Sequence, residues 1–315
     1  MASVPAAWPD GGRGLIVRFV DWAERFARIR RWSRGSERAP HKPLLLLYAL
    51  GRFQRHGDAP ILFSEAEEQL GRLLREFGPP RPTSPAYPFH HLTSDGLWTV
   101  STAGGGGSPG ASPTALRAER AAGRLAPDLA WSLRADPQLL PQLAHVLLDT
   151  NFPPSLHQDL CAAVGLDLEE AESSAPGDGR RPQRDPEFPR RVLVAYEYRC
   201  AFCGYDGALD GGSWPGLEAA HVQWWTHGGP NDVANGICLC SIHHKLFDKG
   251  VLGLTGQRQI MVSVHFVGRS QAAEQLVLSL SGATARSPMK GFPAVATERA
   301  RWHAREVFRA PARVA

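Results

Sequence analysis

CAFCG at 200–204, LEAAHVQWW at 217–225 and NDVANGICLCSIHHKLFDKG at 231–250 decide the reading of the C-terminal half. Two sets of side chains emerge from them. The first is Cys200, Cys203, Cys240 and His243. Zinc takes four sulfur or nitrogen ligands in a tetrahedron, and a CxxC pair supplies two thiolates from one tight knuckle. Cys240 and His243 repeat that spacing after 36 intervening residues. Four protein ligands close the coordination sphere, so the expected role of the zinc is structural. The chain has five cysteines, four of them between 200 and 240, a grouping that points to metal rather than to a disulfide framework. Cys238 stands two residues before Cys240 and reads as a core position, with ligation as the alternative. Cys161 lies in an apolar helical stretch and reads as a buried thiol.

The second set is His221, then Asn235 fourteen residues on, then His244 nine beyond that. Phosphodiester hydrolysis requires a base with a pKa near neutral, a metal at the departing oxygen and a group that holds the base. A histidine meets the first need, because it titrates close to physiological pH. In order and spacing the segment 198–250 resembles the HNH nucleases of the ββα-metal class. That resemblance implies a strand presenting His221, a loop presenting Asn235 and a helix presenting His244. It assigns His221 as general base and Asn235 as the residue that bonds backbone and orients the imidazole. It assigns His244 as ligand of a catalytic Mg2+ or Mn2+ that stabilises the developing 3′ oxyanion. One position departs from the family: the acidic ligand that often precedes the first histidine is replaced by Ala220. Glu218, on the same strand face, and Asp248, one helical turn after His244, are the alternative oxygen donors.

The whole chain sets the frame. With 315 residues there is room for two domains, and 43% hydrophobic with 21% charged residues is the composition of a soluble globular protein. No apolar run approaches the roughly 20 residues that span a bilayer. The N-terminus MASVPAAWPDGG lacks the basic and apolar regions of a leader, so a cytoplasmic location is expected. Residues 1–172 hold 18 basic and 19 acidic side chains, whereas 173–315 hold 17 and 12. Within the near-neutral first part, Arg25 to Lys42 gathers seven basic residues and one acid, Glu37, a footprint suited to phosphates. A general arginine bias, 31 Arg against 4 Lys, is the competing explanation.

Apolar spacing predicts helices over 14–32, 43–53, 65–77, 114–123, 137–149 and 154–164. GPPRPTSPAYP reads as a rigid loop, DGLWTV as a turn into a short strand and GGGGSPGASP as a loop. Residues 173–187, proline-rich and without apolar periodicity, read as a linker between a domain over 1–172 and one over 188–315. VLGLT, IMVSVHF and LVLSL read as strands, and Thr297 to Phe308 as a basic helix.

ERAPHKPLLLLYALGRF at 37–53 and SPAYPFHHLTSDGLWTV at 84–100 carry a second resemblance, through HKPLLLLYAL and YPFxxLxxDGLW. They are similar to the sulfur-binding domain of phosphorothioate-dependent, McrA-type restriction endonucleases, in which such a domain precedes an HNH domain. The resemblance implies a pocket walled by Tyr87 and Pro88, with His91 where the family has a small apolar residue. His41 and Lys42 match the basic pair that holds DNA beside the pocket. Arg34 and Arg38, from the basic patch, are further candidates for phosphate or base contacts. Sulfur is larger, more polarisable and a weaker acceptor than oxygen, so an apolar pocket buries it readily. A phosphate oxygen there sheds water without a partner, at a cost of about 1–3 kcal/mol.

The expected architecture is α+β: a helix-rich N-terminal reader domain followed by a zinc-stapled ββα-metal HNH nuclease domain. The expected activity is that of a modification-dependent endonuclease on phosphorothioated double-stranded DNA. One active site per chain and two strands to cut imply a homodimer. The alternatives are an HNH nuclease reading another mark, such as methylated cytosine, and a non-catalytic zinc-stabilised DNA-binding protein.

Overall fold

Residues 43–51 of the helix α2 (His41–His56) are buried on every side, which explains why its sequence, PLLLLYALG, shows no polar stripe. The computed structural model describes residues 21–29, 37, 39–168, 185, 187–210 and 212–314. In the first half α2 is the hub. Around it pack α3 (Phe63–Phe77), α4 (Ala86–His91), α7 (Leu139–Asn151) and α8 (His157–Val164). The helix α1 (Trp22–Ala27) lies on α7, and α5 (Pro113–Ala118) and α6 (Pro127–Ala135) complete the set. Of the predicted helix over 14–32, the part before residue 21 lies outside the described residues.

A small antiparallel sheet closes this half, with β1 (Ile61–Leu62) and β2 (Trp98–Ser101) flanking β3 (Ala122–Leu125). The helix expected over 114–123 is therefore half wrong. It stops at Ala118, Arg120 takes a left-handed φ of 49°, and the chain turns into β3. Gly123 sits centrally, paired with both Ile61 and Val100. A Cβ there would lie 2.1 Å from the Trp98 ring and 2.9 Å from Phe89. The proline-rich loop is also shorter than expected, because Tyr87 and Pro88 belong to the first turn of α4.

The second half opens with α9 (Glu187–Ala195), which packs on the antiparallel pair β4 (Leu217–His221) and β5 (Gly236–Cys240). The register sets His221 opposite Gly236 and Leu217 opposite Cys240. The helix α10 (Ser241–Asp248) follows β5 without a loop, giving the strand–strand–helix order of a ββα unit. The pair β6 (Leu252–Leu254) and β7 (Ile260–Val262), the short helix α11 (Gln271–Leu276) and α12 (Thr297–Glu306) complete the half. LVLSL does not form the expected strand. Ser270 caps α11 through Ala273 N, and a 3-10 turn over Leu278–Leu280 continues the helical path.

Each half has its own apolar core, yet Trp224, Trp302 and Val307 of the second half pack into the first. Among the described residues no helix is long and apolar enough to cross a membrane. The fit around Gly123 gives a direct test. Gly123→Ala should lower unfolding stability by about 1–3 kcal/mol, the usual cost of overpacking, and urea denaturation measures it.

Candidate active site and metal centre

Cys240 ends β5 and His243 sits in the first turn of α10, so one strand-to-helix junction delivers two donors. Cys200 and Cys203 come from the turn after α9, held because Gly204 N bonds back to Cys200 O at 2.9 Å. The four ligand atoms lie within 4.8 Å of one another. His243 Nδ1 faces Cys200 Sγ at 3.4 Å and Cys240 Sγ at 3.2 Å, while Nε2 meets the Leu276 carbonyl at 2.7 Å. One ring nitrogen on the metal side and the other on a backbone acceptor is how a zinc-bound histidine is oriented. The donor set therefore fits a structural zinc. Cys238 is buried in the core outside the cluster, and burial pushes its thiol up to about 12.

The next side chain along α10, His244, points the other way. Its Nδ1 is 2.6 Å from Glu218 Oε2 on β4, and its Nε2 is 3.2 Å from Asp248 Oδ2 one turn on. Burial disfavours charge on this imidazole, but the two carboxylates outweigh it and hold the pKa at about 10. The His244 contact in turn keeps Glu218 below the usual carboxylate range. The two acids differ in role. Asp248 Oδ1 accepts from Trp224 Nε1 at 2.9 Å, and Oδ2 accepts from Ser155 Oγ as well as facing His244. With a side chain 2% exposed, it is the orienting carboxylate behind the histidine. Glu218, 45% exposed and also bonded by Ser241 Oγ at 2.6 Å, stands on the open side. His244 Nδ1 and Glu218 Oε2 are the nitrogen and oxygen donors that would hold a divalent ion here, and such an ion would take the place of the Nδ1 proton.

His221 ends β4 with its ring stacked on Phe188 of α9, centroids 4.0 Å apart and planes at 15°. Its Nε2 lies 2.8 Å from Asn231 Oδ1. Gly236 opposite makes room for this stack, because a Cβ there would lie 2.3 Å from Val192 and 3.2 Å from Phe188. Asn235 is fully buried and clamps backbone. Its Oδ1 accepts from Gln223 N at 2.8 Å, and its Nδ2 donates to the carbonyls of Gln223 and Pro230, both at 2.9 Å. The clamp fixes the loop that leaves His221, while Phe188 and Asn231 touch the His221 ring itself. Gly229 is required by the same clamp, since a Cβ would lie 1.8 Å from Gln223 O.

In the first half, Tyr87 is 40% exposed at the start of α4. The His91 ring lies 4.3 Å from it and the His41 ring 6.4 Å, at 69°. Pro88 is buried beneath. Burial, with His90 and Lys42 nearby, lowers the His91 pKa and so favours the neutral ring. His41 Nε2 is 3.0 Å from Thr83 Oγ1. Lys42 is 2.5 Å from Asp95 Oδ2, and both side chains are largely covered. Arg34 and Arg38 lie outside the described residues. Sequence reasoning missed Phe188, Asn231, Trp224 and Ser155; Trp224 in LEAAHVQWW and Asn231 in NDVAN lie inside the segments quoted above, whereas Phe188 and Ser155 lie outside them.

Comparison with known proteins agrees with both halves. Residues 20–169 match the family model of the ScoMcrA-like DNA sulfur-binding domain, and residues 200–255 match that of an HNH endonuclease. Among solved structures, the sulfur-binding domain of ScoMcrA complexed with phosphorothioated DNA is 25% identical with a TM-score of 0.39, covering 48% of this chain and 97% of that one. The corresponding domain of SprMcrA gives 25%, 0.40, 48% and 94%. The type IV phosphorothioation-dependent restriction endonuclease ScoMcrA gives 22% and 0.37, covering 51% of this chain and 30% of its own. No curated protein matches. The chain carries a ScoMcrA-like sulfur-binding domain ahead of an HNH domain, and it is a DNA endonuclease of the HNH type.

The metal cluster is tested by substitution. Cys203→Ser should abolish stoichiometric zinc, whereas Cys238→Ser should retain one zinc per chain; metal analysis of the purified proteins separates the two.

Proposed function

We propose that this chain binds phosphorothioated duplex DNA through its first half and hydrolyses nearby phosphodiester bonds through its second. The observation that carries the reading is the joining, in one chain, of a sulfur-binding domain to the His221, Asn235 and His244 constellation. Tyr87, with neutral His91 beside it and Pro88 beneath, offers sulfur a weakly hydrated wall. A phosphate oxygen against the same wall loses water without gaining a donor. His41, Arg34 and Arg38 contact the adjoining backbone. Lys42 works from behind, its bond to Asp95 holding the turn next to α4.

In the nuclease half His221 takes the proton from the attacking water. Phe188 and Asn231 hold its ring while the Asn235 clamp holds the loop after it. His244 and Glu218 would hold the divalent ion, Glu218 standing in for the acid that Ala220 lacks. Such an ion, when bound, would supply Lewis-acid stabilisation of the departing 3′ oxygen. Closed zinc at the Cys200 cluster keeps the strand and helix in register. Two copies of the chain provide one active site per DNA strand.

The parent and two variants, each on a sulfur-bearing duplex and its oxygen twin, test these assignments. His221→Ala should cut at least about 100-fold more slowly, the usual worth of a general base, while binding the duplex as the parent does. Tyr87→Ala should weaken sulfur-dependent binding, by about 1–3 kcal/mol. Undiminished cutting by His221→Ala would remove it as the base. Unchanged sulfur preference in Tyr87→Ala would place the pocket elsewhere.

A further inference from the structure

Asp248 belongs to the nuclease half, but one of its hydrogen-bond donors does not. Three donors meet its carboxylate: Trp224 Nε1 on Oδ1, and Ser155 Oγ and His244 Nε2 on Oδ2. Ser155 lies 93 residues earlier, in the 3-10 turn Pro154–Leu156 of the sulfur-binding half. A carboxylate this buried stays in place only while its lone pairs are satisfied. We propose that Ser155 is a positioning residue of the nuclease site: it fixes the Asp248 carboxylate, which fixes the His244 ring. The inference rests on the nuclease reading and adds that the reader half completes the metal site.

The surroundings of Ser155 favour a built contact over a passing one. Leu156 N bonds Pro153 O at 3.0 Å, and the Leu156 side chain is buried in the first core, so the turn has little freedom. One helical turn further, Asp159 of α8 accepts from Lys245 Nζ at 2.7 Å and from Lys249 Nζ at 2.8 Å. Glu76 at the end of α3 takes Lys249 as well, at 2.9 Å. Ser155 and Asp159 are spaced i and i+4, as are His244 and Asp248, and Lys245 and Lys249. Two helical repeats thus mesh along one seam, and the seam includes the residue that follows each site group. Arg309 seals its far end against the Arg75 and Glu76 carbonyls. The helix that carries His244 is consequently oriented from both sides, by the Cys200 cluster on one and by the reader on the other.

Without the Ser155 hydroxyl, Oδ2 of Asp248 loses one of the two donors it has among the described residues, and the carboxylate is free to turn or to admit water. His244 then presents Nδ1 less consistently toward Glu218. Metal affinity and the chemical step should suffer, while DNA binding, assigned above to Tyr87 and His41, should not.

The test uses the zinc-loaded full chain as parent, Ser155→Ala and Ser155→Thr. Mn2+ binding without DNA is followed by electron paramagnetic resonance. Single-turnover cleavage of a sulfur-bearing duplex is measured at saturating Mn2+, and duplex affinity is measured separately. Ser155→Ala should bind Mn2+ on the order of tenfold more weakly, as expected for removing an outer-shell partner. It should cleave more slowly at saturating Mn2+, with zinc content and duplex affinity unchanged. Ser155→Thr, which keeps the hydroxyl, should recover both losses. Parent-like Mn2+ affinity in Ser155→Ala would overturn the proposal, as would faster cleavage, which would make the contact a brake. If the parent binds Mn2+ yet cuts nothing, the nuclease reading fails, and the Mn2+ comparison still decides the role of Ser155.

Discussion

Four donor atoms brought within 4.8 Å of one another fix the geometry of the nuclease half. Two of them, Cys240 and His243, flank the junction at which β5 becomes α10. Zinc closed on them and on the Cys200–Cys203 knuckle would set both the start and the rotation of that helix. Consecutive helical residues point about 100° apart, so with His243 committed to the knuckle, His244 must face β4. A metal held there would thereby aim the His244 side chain at Glu218. The strands answer with Glu218 and His221, and Asn235 stops the intervening loop from drifting.

A buried carboxylate is the second constraint. Asp248 brings negative charge into the interior beneath His244, where it is tolerated only with donors from several elements. Trp224 and Ser155 provide them from opposite halves of the chain. The resulting contact is more intimate than that of two domains joined by a tether. Trp224, Trp302 and Val307 bury themselves in the first core, and Arg81 reaches the fully buried Glu306 at 2.9 Å. Reader and nuclease share packing as well as charge.

Much of the site was legible in the sequence because its parts are close along the chain. The CxxC and CxxH pairs, and the His221, Asn235 and His244 spacing, belong to one short strand–loop–strand–helix segment. What was not legible depends on distance. Phe188 stacks on His221 from 33 positions away, and Ser155 meets Asp248 across 93, so no local pattern marks either. Fold errors had local causes of another kind. The apolar run LVLSL satisfies a strand pattern, but the end of α11 lends its Leu276 carbonyl to His243 Nε2, a use open to helix-terminal carbonyls. The strand β3 was hidden because a helical pattern runs up to Arg120, whose left-handed backbone alone breaks it. Pro88, read as loop, is accommodated in the first turn of α4, where a missing N–H costs nothing.

The central claim is that sulfur in the DNA backbone licenses cutting by this chain. It is tested most directly by comparing two duplexes, identical except for one stereodefined phosphorothioate, in the presence of the unaltered zinc-loaded protein and Mn2+. Several flanking sequences should be represented in the pair. The account predicts cleavage products from the sulfur-bearing duplex and none from its oxygen twin. Equal cleavage of both would leave a nuclease in place and contradict the sulfur-dependent reading.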